Sequence, residues 1–123
     1  MAPKRIAIVL LVEDTEPVRE IASEALESAG YEVIQASTAP EAMRILDQGR
    51  AVDLLFTDVV MPGLFDGQEL ARRARALRPE LKILITSGNS LHLANELGAM
   101  EFLPKPYQIQ ELLEKIRTLS AQT

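Results

Sequence analysis

Three acidic residues stand at the ends of two apolar stretches of this chain. Glu13 and Asp14 follow the run from Ile6 to Val12, and Asp58 follows the run from Leu54 to Thr57. If both runs are parallel strands, their carboxyl ends lie at the sheet edge where open α/β sheets bind ligands. Crowded carboxylates repel, so the site requires either raised pKa values or a hard divalent cation with oxygen ligands.

Two further apolar runs end in residues with complementary chemistry. Thr86 and Ser87 follow one run, and Lys105 follows the last one. A hydroxyl and an ammonium group beside three carboxylates suit phosphoryl transfer, in which catalysis consists mainly of positioning and charge neutralisation. Asp58 is then the expected nucleophile, which would form an acyl phosphate.

The elements that must position these groups follow an alternating pattern. Five short apolar runs alternate with helical patterns, which is typical of βαβ units around a parallel sheet. Strands are predicted over residues 6–12, 31–36, 52–57, 82–86 and 100–103. The first is almost entirely apolar, as expected of a central strand covered by helices on both faces. Right-handed crossovers then favour an α/β, flavodoxin-like three-layer sandwich with a five-stranded parallel sheet of order 2-1-3-4-5.

Helix starts and stops are marked by capping residues. A polar cap followed three residues later by glutamate is expected to open the second helix at Thr38 and the third at Asp66. The first helix should end at Gly30 and the third before Pro79. A fourth segment over residues 90–97 is short and weakly patterned, whereas apolar residues recur at 3.6 spacing over residues 109–119.

Composition limits the domain count and the class of partner. The 123 residues, 47% of them apolar, predict a single domain over residues 1–123 with its core at about 6–119. A net charge of −5 argues against a nucleic-acid partner. The one basic cluster is predicted to be the solvated face of a helix; it consists of Arg72, Arg73, Arg75 and Arg78.

Membrane and secretory signals are missing from the sequence. No segment approaches the roughly 20 apolar residues of a membrane span. The basic residues before Ile6, together with the apolar run that follows, resemble a short signal peptide. Glu13 and Asp14 follow that run directly, however, and leave no small-residue cleavage site. The chain has no cysteine, which fits a reducing compartment. A cytoplasmic location is therefore expected.

Four motifs at successive strand ends resemble those of the receiver domain of two-component response regulators. They are VEDTEP at 12–17, FTDVVMPG at 56–63, the Thr86–Ser87 pair, and LPKPY at 103–107. In this order they are much more specific than any one alone, and the resemblance covers residues 6–119. It implies a CheY-like, phosphorylation-dependent switch that accepts a phosphoryl group from a histidine kinase or histidine phosphotransfer protein and acts on an unknown downstream protein. It also implies that the domain catalyses only its own phosphorylation and dephosphorylation.

The resemblance assigns a metal site to the acidic residues. Asp58 is similar to the phosphoacceptor, Asp14 to the direct Mg²⁺ ligand, and Glu13 to the residue that holds a metal-bound water. The family also uses the main-chain carbonyl two residues after the phosphoacceptor, which is that of Val60 here.

The resemblance also assigns the residues that hold and sense the phosphoryl group. Thr86 is expected to donate a hydrogen bond to a phosphoryl oxygen, and Lys105 to pair with its charge. Phe102 is similar to the family's switch aromatic, and the peptide between Lys105 and Pro106 is expected to be cis. The surface that then changes is expected on strand five and the last helix; it includes Glu101, Gln108 and Glu111.

The sequence departs from the commonest family pattern at three places. The acidic pair is Glu–Asp rather than Asp–Asp, which should preserve metal binding. Val60 and Gly88 stand where relatives often carry polar side chains that contact an attacking water, so hydrolysis of the phosphoryl group is expected to be unassisted. Only residues 87–104 separate Thr86 from Lys105, so the fourth helix must be short.

Other functions fit the residues less well. An Asp-nucleophile phosphohydrolase needs a second acid where Val60 stands, and a flavodoxin needs phosphate-binding hydroxyls where Glu13 and Asp14 stand. A degenerate receiver that acts only as a protein-interaction module predicts loss of site residues, and none is lost. A serine hydrolase is excluded because His92, predicted to be a surface residue, is the only histidine and no nucleophile elbow is present.

Overall fold

A computed structural model describes residues 6–61, 65–88 and 101–121, and these form a parallel sheet flanked by helices. The elements in chain order are β1 (Ile8–Val12), α1 (Glu16–Ser28), β2 (Glu32–Ala36), α2 (Ala39–Asp47), β3 (Leu54–Asp58), α3 (Gly67–Leu77), β4 (Lys82–Ser87), β5 (Glu101–Pro104) and α4 (Ile109–Ala121). The short helix expected over residues 90–97, His92 and the predicted strand start at Met100 lie outside the described residues.

The sheet has the predicted order β2-β1-β3-β4-β5, with every neighbouring pair parallel. Successive side chains of a strand point to opposite faces. Leu10 and Val12 accordingly pack into a core cluster with α2 and α3, whereas Val9 and Leu11 pack into a second cluster with α1 and α4. The chain therefore has the predicted three-layer α/β fold, with β1 as a buried interior strand between β2 and β3.

Several strand boundaries differ from the sequence prediction by one or two residues, and two of them have a visible cause. The strand β3 includes Asp58, which was expected to follow it, because Asp58 is in register with Thr86 of β4. The strand β1 begins at Ile8 rather than Ile6. Its start is held by the side chain of Asp53, which accepts hydrogen bonds from the amides of Ala7 and Ile8 at 3.0 and 2.9 Å.

The predicted helix caps are present. The hydroxyl of Thr38 accepts a hydrogen bond from the amide of Glu41 at 3.2 Å, and Asp66 caps α3 by accepting from the amide of Glu69 at 3.0 Å. Gly30 follows α1 with a φ of 101°, a conformation that favours glycine. The capping box at Thr38 is only half formed, because the carboxylate of Glu41 bonds to the hydroxyl of Ser37 instead.

Two residues of the basic cluster lie on the exposed face of α3, as the sequence predicted. The prediction is wrong for Arg78, which follows the end of α3 and donates a 2.9 Å hydrogen bond to the carbonyl of Leu46. The side chains of Arg72 and Arg73 are 66% and 54% exposed, and both form ion pairs with Glu69 within α3. Exposed ion pairs of this kind contribute little to stability. Within the described residues, no helix is long and apolar enough to cross a membrane.

Gly67, the first residue of α3, approaches the main chain of β3 very closely. A β-carbon at this position would lie 1.8 Å from the carbonyl oxygen of Asp58. The amide of Gly67 also donates a 3.0 Å hydrogen bond to the carbonyl of Val59. Only glycine leaves room for this contact, so the start of α3 is held directly against the strand end that carries Asp58.

Replacing Gly67 by alanine is expected to lower the free energy of unfolding by about 3 kcal/mol, the upper range of overpacking costs. Helix propensity alone predicts the opposite sign, a gain of up to about 1 kcal/mol. The steric cost should exceed the gain in helix propensity, because the new β-carbon meets a main-chain oxygen that cannot rotate away. Urea unfolding measures the change. Gly88→Ala is the matched control, since a β-carbon there has no atom within 4 Å; equal stabilities of the two variants would contradict the argument.

Candidate functional site

The carboxyl ends of β1, β3 and β4 bring three polar groups together. Val12 is in register with Thr57, and Asp58 with Thr86, so the residues that end these strands lie side by side. Glu13 and Asp58 are each 6% exposed and Thr86 is 3% exposed. Asp14 follows Glu13 at the surface. The topology thus gathers the predicted acidic residues at one edge, with two of them buried.

The carboxylate of Asp58 is held through both of its oxygens. One oxygen accepts a hydrogen bond from the amide of Val60 at 3.0 Å, and the other forms an ion pair with Lys105 Nζ. The side chain of Asp58 is 7% exposed and that of Lys105 is 33% exposed. A nearly buried carboxylate is tolerated because it has a charged partner and a main-chain donor. These two contacts fix the direction of the carboxylate at the sheet edge.

The hydroxyl of Thr86 has no hydrogen-bond partner. Among the described residues, its oxygen is the buried side-chain polar atom that lacks one. Leaving a buried hydroxyl unpaired costs about 1–3 kcal/mol, so such groups in native structures call for an explanation. Thr86 neighbours Asp58 in the ladder. An acceptor oxygen bound to Asp58 would provide the missing partner.

The carboxyl group of Glu13 is electrostatically strained. Burial raises its pKa, and the nearby charge of Asp58 raises it further, while Lys105 and the amide of Thr15 lower it. That amide donates to Glu13 Oε1 at 3.3 Å. The net direction is upward, so the charged form of Glu13 is less favourable here than in an unfolded chain. A bound cation would relieve this repulsion.

Replacing Glu13 by glutamine should stabilise the fold at neutral pH by about 1 kcal/mol, because it removes a buried charge that Asp58 repels. The pKa of Glu13 is higher in the folded chain than in the unfolded chain, so its protonation at low pH favours the folded state. This contribution to stability is lost as the pH rises through the pKa of the folded state. The gain in unfolding free energy should therefore be present at pH 7 and absent at pH 4. Urea unfolding at both pH values checks it; a gain at pH 4 alone would contradict this sign.

The donors at this edge fit a Mg²⁺ ion. In the part of the chain that the structure describes, no three acidic or histidine side chains converge into a ready-made metal cage. Mg²⁺ does not need one, because it keeps several waters and binds proteins through one or two carboxylates. Asp58 and Glu13 interact directly, and Asp14 is the exposed residue that follows Glu13 in the chain. Hard oxygen donors beside a strained, buried acid are suitable for this ion.

Several features of the site were not anticipated from the sequence. They are the amide of Val60 as a donor to Asp58, the close approach of Gly67, and the side chain of Tyr107. Tyr107 packs edge-on against Phe56, with ring centroids 6.0 Å apart. Burial, together with the charges of Glu13 and Asp58, raises the pKa of Tyr107 to about 12. The LPKPY motif carried the only sequence signal for this tyrosine.

One further prediction for the residues around Lys105 is confirmed, and the position of Phe102 is also defined. The peptide bond between Lys105 and Pro106 is cis, as expected. Phe102 is half-buried on β5 and packs against the core cluster on the α2 and α3 side of the sheet. Phe102 is thus partly exposed, and its role as a switch stays a prediction.

An open apolar groove lies beside the site. Its volume is about 610 Å³, and its walls come from α1, the end of β4 and the segment that joins β5 to α4. Val18 and Ile21 of α1 are 42% and 59% exposed, and Val60 at the mouth of the site is 73% exposed. Lys105 and Tyr107 line the opposite wall. A groove lined by exposed apolar side chains is typical of binding surfaces.

Comparison with known proteins gives a consistent result. The sequence matches the family model described as the response regulator receiver domain over residues 9–117. The sensor kinase CckA of Brucella abortus (strain 2308) is 38% identical over 118 residues, which are 92% of this chain and 12% of that protein. The response regulator MprA of Mycobacterium leprae (strain TN) is 37% identical over 119 residues, 94% of this chain and 51% of that protein.

A similar structure has also been solved. The crystal structure of a CheY-like response regulator receiver domain protein from Methanospirillum hungatei JF-1 superimposes with a TM-score of 0.83 at 30% identity. The alignment covers 93% of each chain. By contrast, the chain spans about half or less of the length of the two curated relatives, so the similarity concerns one region of those proteins.

Proposed function

Because this chain belongs to the response regulator receiver domain family, a group of two-component phosphoacceptor domains, we propose that it accepts a phosphoryl group on Asp58. The observation that carries this assignment is the buried carboxylate of Asp58 held between Lys105 and the amide of Val60, beside an unpaired hydroxyl on Thr86. We further propose that residues 1–123 form a single receiver domain with its core at about 6–119, and that the donor is a histidine kinase or a histidine phosphotransfer protein.

The chemistry follows from the contacts of Asp58. One carboxylate oxygen attacks the phosphorus of a phosphohistidine; the new O–P bond forms as the P–N bond breaks, and the electron pair leaves with the imidazole nitrogen. Lys105 pairs with Asp58 before transfer, and its ammonium lies close enough to pair with the phosphoryl oxygens afterwards. The amide of Val60 keeps the carboxylate oriented toward the edge. Positioning and charge neutralisation are the main needs of such a transfer.

The proposed metal residues are Glu13, Asp14, Asp58 and the main-chain carbonyl of Val60. Bound there, Mg²⁺ would neutralise charge on the phosphoryl oxygens. The chain's own contribution is to hold acids of different burial at one edge, because Glu13 and Asp58 are buried while Asp14 faces solvent. Val60 presents no polar side chain at the mouth of the site, so we also propose that hydrolysis of the phosphoryl group is not assisted by the protein.

The phosphoryl donor is proposed to dock in the groove between α1 and the segment after β5. The groove opens beside Lys105, so a helix seated on Val18 and Ile21 would lie next to Asp58. Three exposed glutamates of α1 flank this apolar strip, namely Glu16, Glu20 and Glu24. They suit a partner helix that combines an apolar face with basic residues at its rim.

The function can be tested on the purified chain. Incubation with a small phosphodonor such as acetyl phosphate, in the presence of Mg²⁺, should add one phosphoryl group, and peptide mapping by mass spectrometry should locate it on Asp58. Removal of Mg²⁺ with a chelator should stop the reaction. No adduct with Mg²⁺ present, or an adduct that forms equally well in the chelator, would overturn the proposed function.

Thr86 and Phe102 are proposed to convert phosphorylation into a change of surface. A phosphoryl oxygen on Asp58 should attract the unpaired hydroxyl of Thr86, and the space it vacates should admit the ring of Phe102. One charge-assisted hydrogen bond supplies about 1.5–3 kcal/mol, enough to shift a two-state population roughly ten- to a hundredfold. The altered surface should include Glu101, Gln108 and Glu111, on and beside β5 and the start of α4.

Adding beryllofluoride, a mimic of the phosphoryl group, should produce NMR shift changes at Phe102 and in the first turn of α4. These residues are remote from the metal site, so direct contact with the mimic does not explain such changes. Thr86→Ala is the informative variant, because it should retain beryllofluoride binding but lose the remote shifts. Remote changes confined to α1, or retained in Thr86→Ala, would contradict the proposed route.

A further inference from the structure

Arg19 of α1 makes a two-point contact that ties the loop after β1 to strand β2. Its Nη1 donates to the main-chain carbonyl of Glu13 at 2.8 Å, and its Nε donates to the side chain of Gln35 at 3.2 Å. Gln35 in turn donates to the buried hydroxyl of Ser23 at 3.1 Å. The guanidinium thus joins the acidic loop, the edge strand and α1 in one hydrogen-bonded chain.

The carbonyl that Arg19 holds belongs to the peptide group between Glu13 and Asp14. The amide of Glu13 is fixed separately, by a 3.1 Å hydrogen bond to the carbonyl of Ala36. Arg19 therefore restrains the one peptide whose orientation sets the relative directions of the two acidic side chains. Glu13 and Asp58 repel each other, so without such a restraint the loop would be free to move them apart.

We propose that Arg19 is a positioning residue for the cation site: it holds the Glu13–Asp14 peptide and so sets where the buried Glu13 carboxylate lies beside Asp58 and where the exposed Asp14 follows it. The inference rests on the proposed Mg²⁺-dependent function and deepens it. Both acceptors of Arg19 are neutral oxygens, so the contacts themselves orient the loop and do not neutralise its acids. Residues that orient metal ligands in this indirect way typically contribute tenfold or more to metal affinity.

Charge and position predict opposite effects for this residue. If Arg19 acts only as a nearby positive charge, it competes with the cation, and neutralising it should strengthen Mg²⁺ binding. If Arg19 acts by position, neutralising it should weaken binding despite the lost repulsion. The sign of the change therefore separates the two explanations. Gln35→Ala alters no charge but removes the second contact of Arg19 together with the hydrogen bond to Ser23, so it tests position without a change of charge.

The experiment is a Mg²⁺ titration, without any phosphodonor, followed by the NMR shifts of the amides at residues 58–60. Arg19→Gln should weaken binding about tenfold, as loss of an indirect orienting contact does. Gln35→Ala should weaken it about two- to fivefold, the loss of about 0.5–1 kcal/mol of hydrogen bonding. Arg19→Lys, which cannot span both acceptors, should fall between wild type and Arg19→Gln. Arg72→Gln, the same charge change on the exposed face of α3, should leave affinity unchanged.

A second readout separates positioning from general damage. At saturating Mg²⁺, the phosphorylation rate of Arg19→Gln with acetyl phosphate should return to near the wild-type value, since the cation then restores the loop. Unchanged or tighter Mg²⁺ binding in Arg19→Gln, or unchanged binding in Gln35→Ala, would overturn the inference while leaving the proposed function intact. If Arg19→Gln does not fold, the Mg²⁺ affinity of Gln35→Ala tests the inference by itself. A wild-type chain that binds no Mg²⁺ at residues 58–60 would overturn both.

Discussion

Asp58→Asn is expected to abolish phosphorylation by acetyl phosphate and Mg²⁺ completely while the fold remains intact. Asparagine can still accept the hydrogen bond from the amide of Val60, so the end of β3 keeps its conformation. It is not a nucleophile toward phosphorus, and it removes the anion that pairs with Lys105. Loss of the negative charge of Asp58 should also lower the pKa of Glu13, because that charge is one of the causes that raise it.

Intact-mass measurement after donor treatment tests this variant, with circular dichroism as the check on folding. Asp53→Asn is the matched control, because Asp53 precedes the opposite end of the same strand and also accepts main-chain hydrogen bonds. Its phosphorylation should be that of the wild type. A phosphoryl adduct on folded Asp58→Asn would disprove the assignment of the acceptor, even if other residues of the site were correctly identified.

Lys105→Met should slow phosphorylation about 100- to 1,000-fold, the usual effect of removing one group that stabilises developing charge in a transition state. The same variant should bind Mg²⁺ more tightly than the wild type. Lys105 pairs with Asp58 in the present structure and therefore competes with a cation for the same carboxylate. Methionine keeps the length of the side chain, so the packing of its aliphatic part against the groove is largely preserved.

The two effects have opposite signs, which makes the prediction specific. Rates with acetyl phosphate at saturating Mg²⁺ and the Mg²⁺ affinity itself should be measured on the same preparation. Lys115→Met is the control, since Lys115 forms an ion pair with Glu101 at 3.4 Å, an equivalent lysine in α4 outside the site. If both lysine variants slow the reaction equally, net charge rather than the position of Lys105 controls the rate.

The sequence determined the architecture because the architecture depends on local patterns. Alternating apolar runs and helical spacing identified five strands and their parallel arrangement, and the apolar character of β1 placed it inside the sheet rather than at an edge. The helix caps at Thr38 and Asp66 could also be predicted from the sequence, since each capping hydrogen bond joins residues only three positions apart. A carboxylate at the end of an apolar strand is costly unless something binds it, so Asp58 too could be singled out from the sequence.

The tertiary structure alone decided which groups touch. Lys105 and Asp58 are 47 residues apart and meet only because β3, β4 and β5 are neighbours in a fixed register. Arg19 contacts the loop carbonyl of Glu13 through packing of α1 over the sheet edge. Periodicity specifies which face a residue occupies, but not a distance between the ends of different elements. Those distances result from packing the whole core, which is why the unpaired hydroxyl of Thr86 and the close approach of Gly67 became visible only in the folded chain.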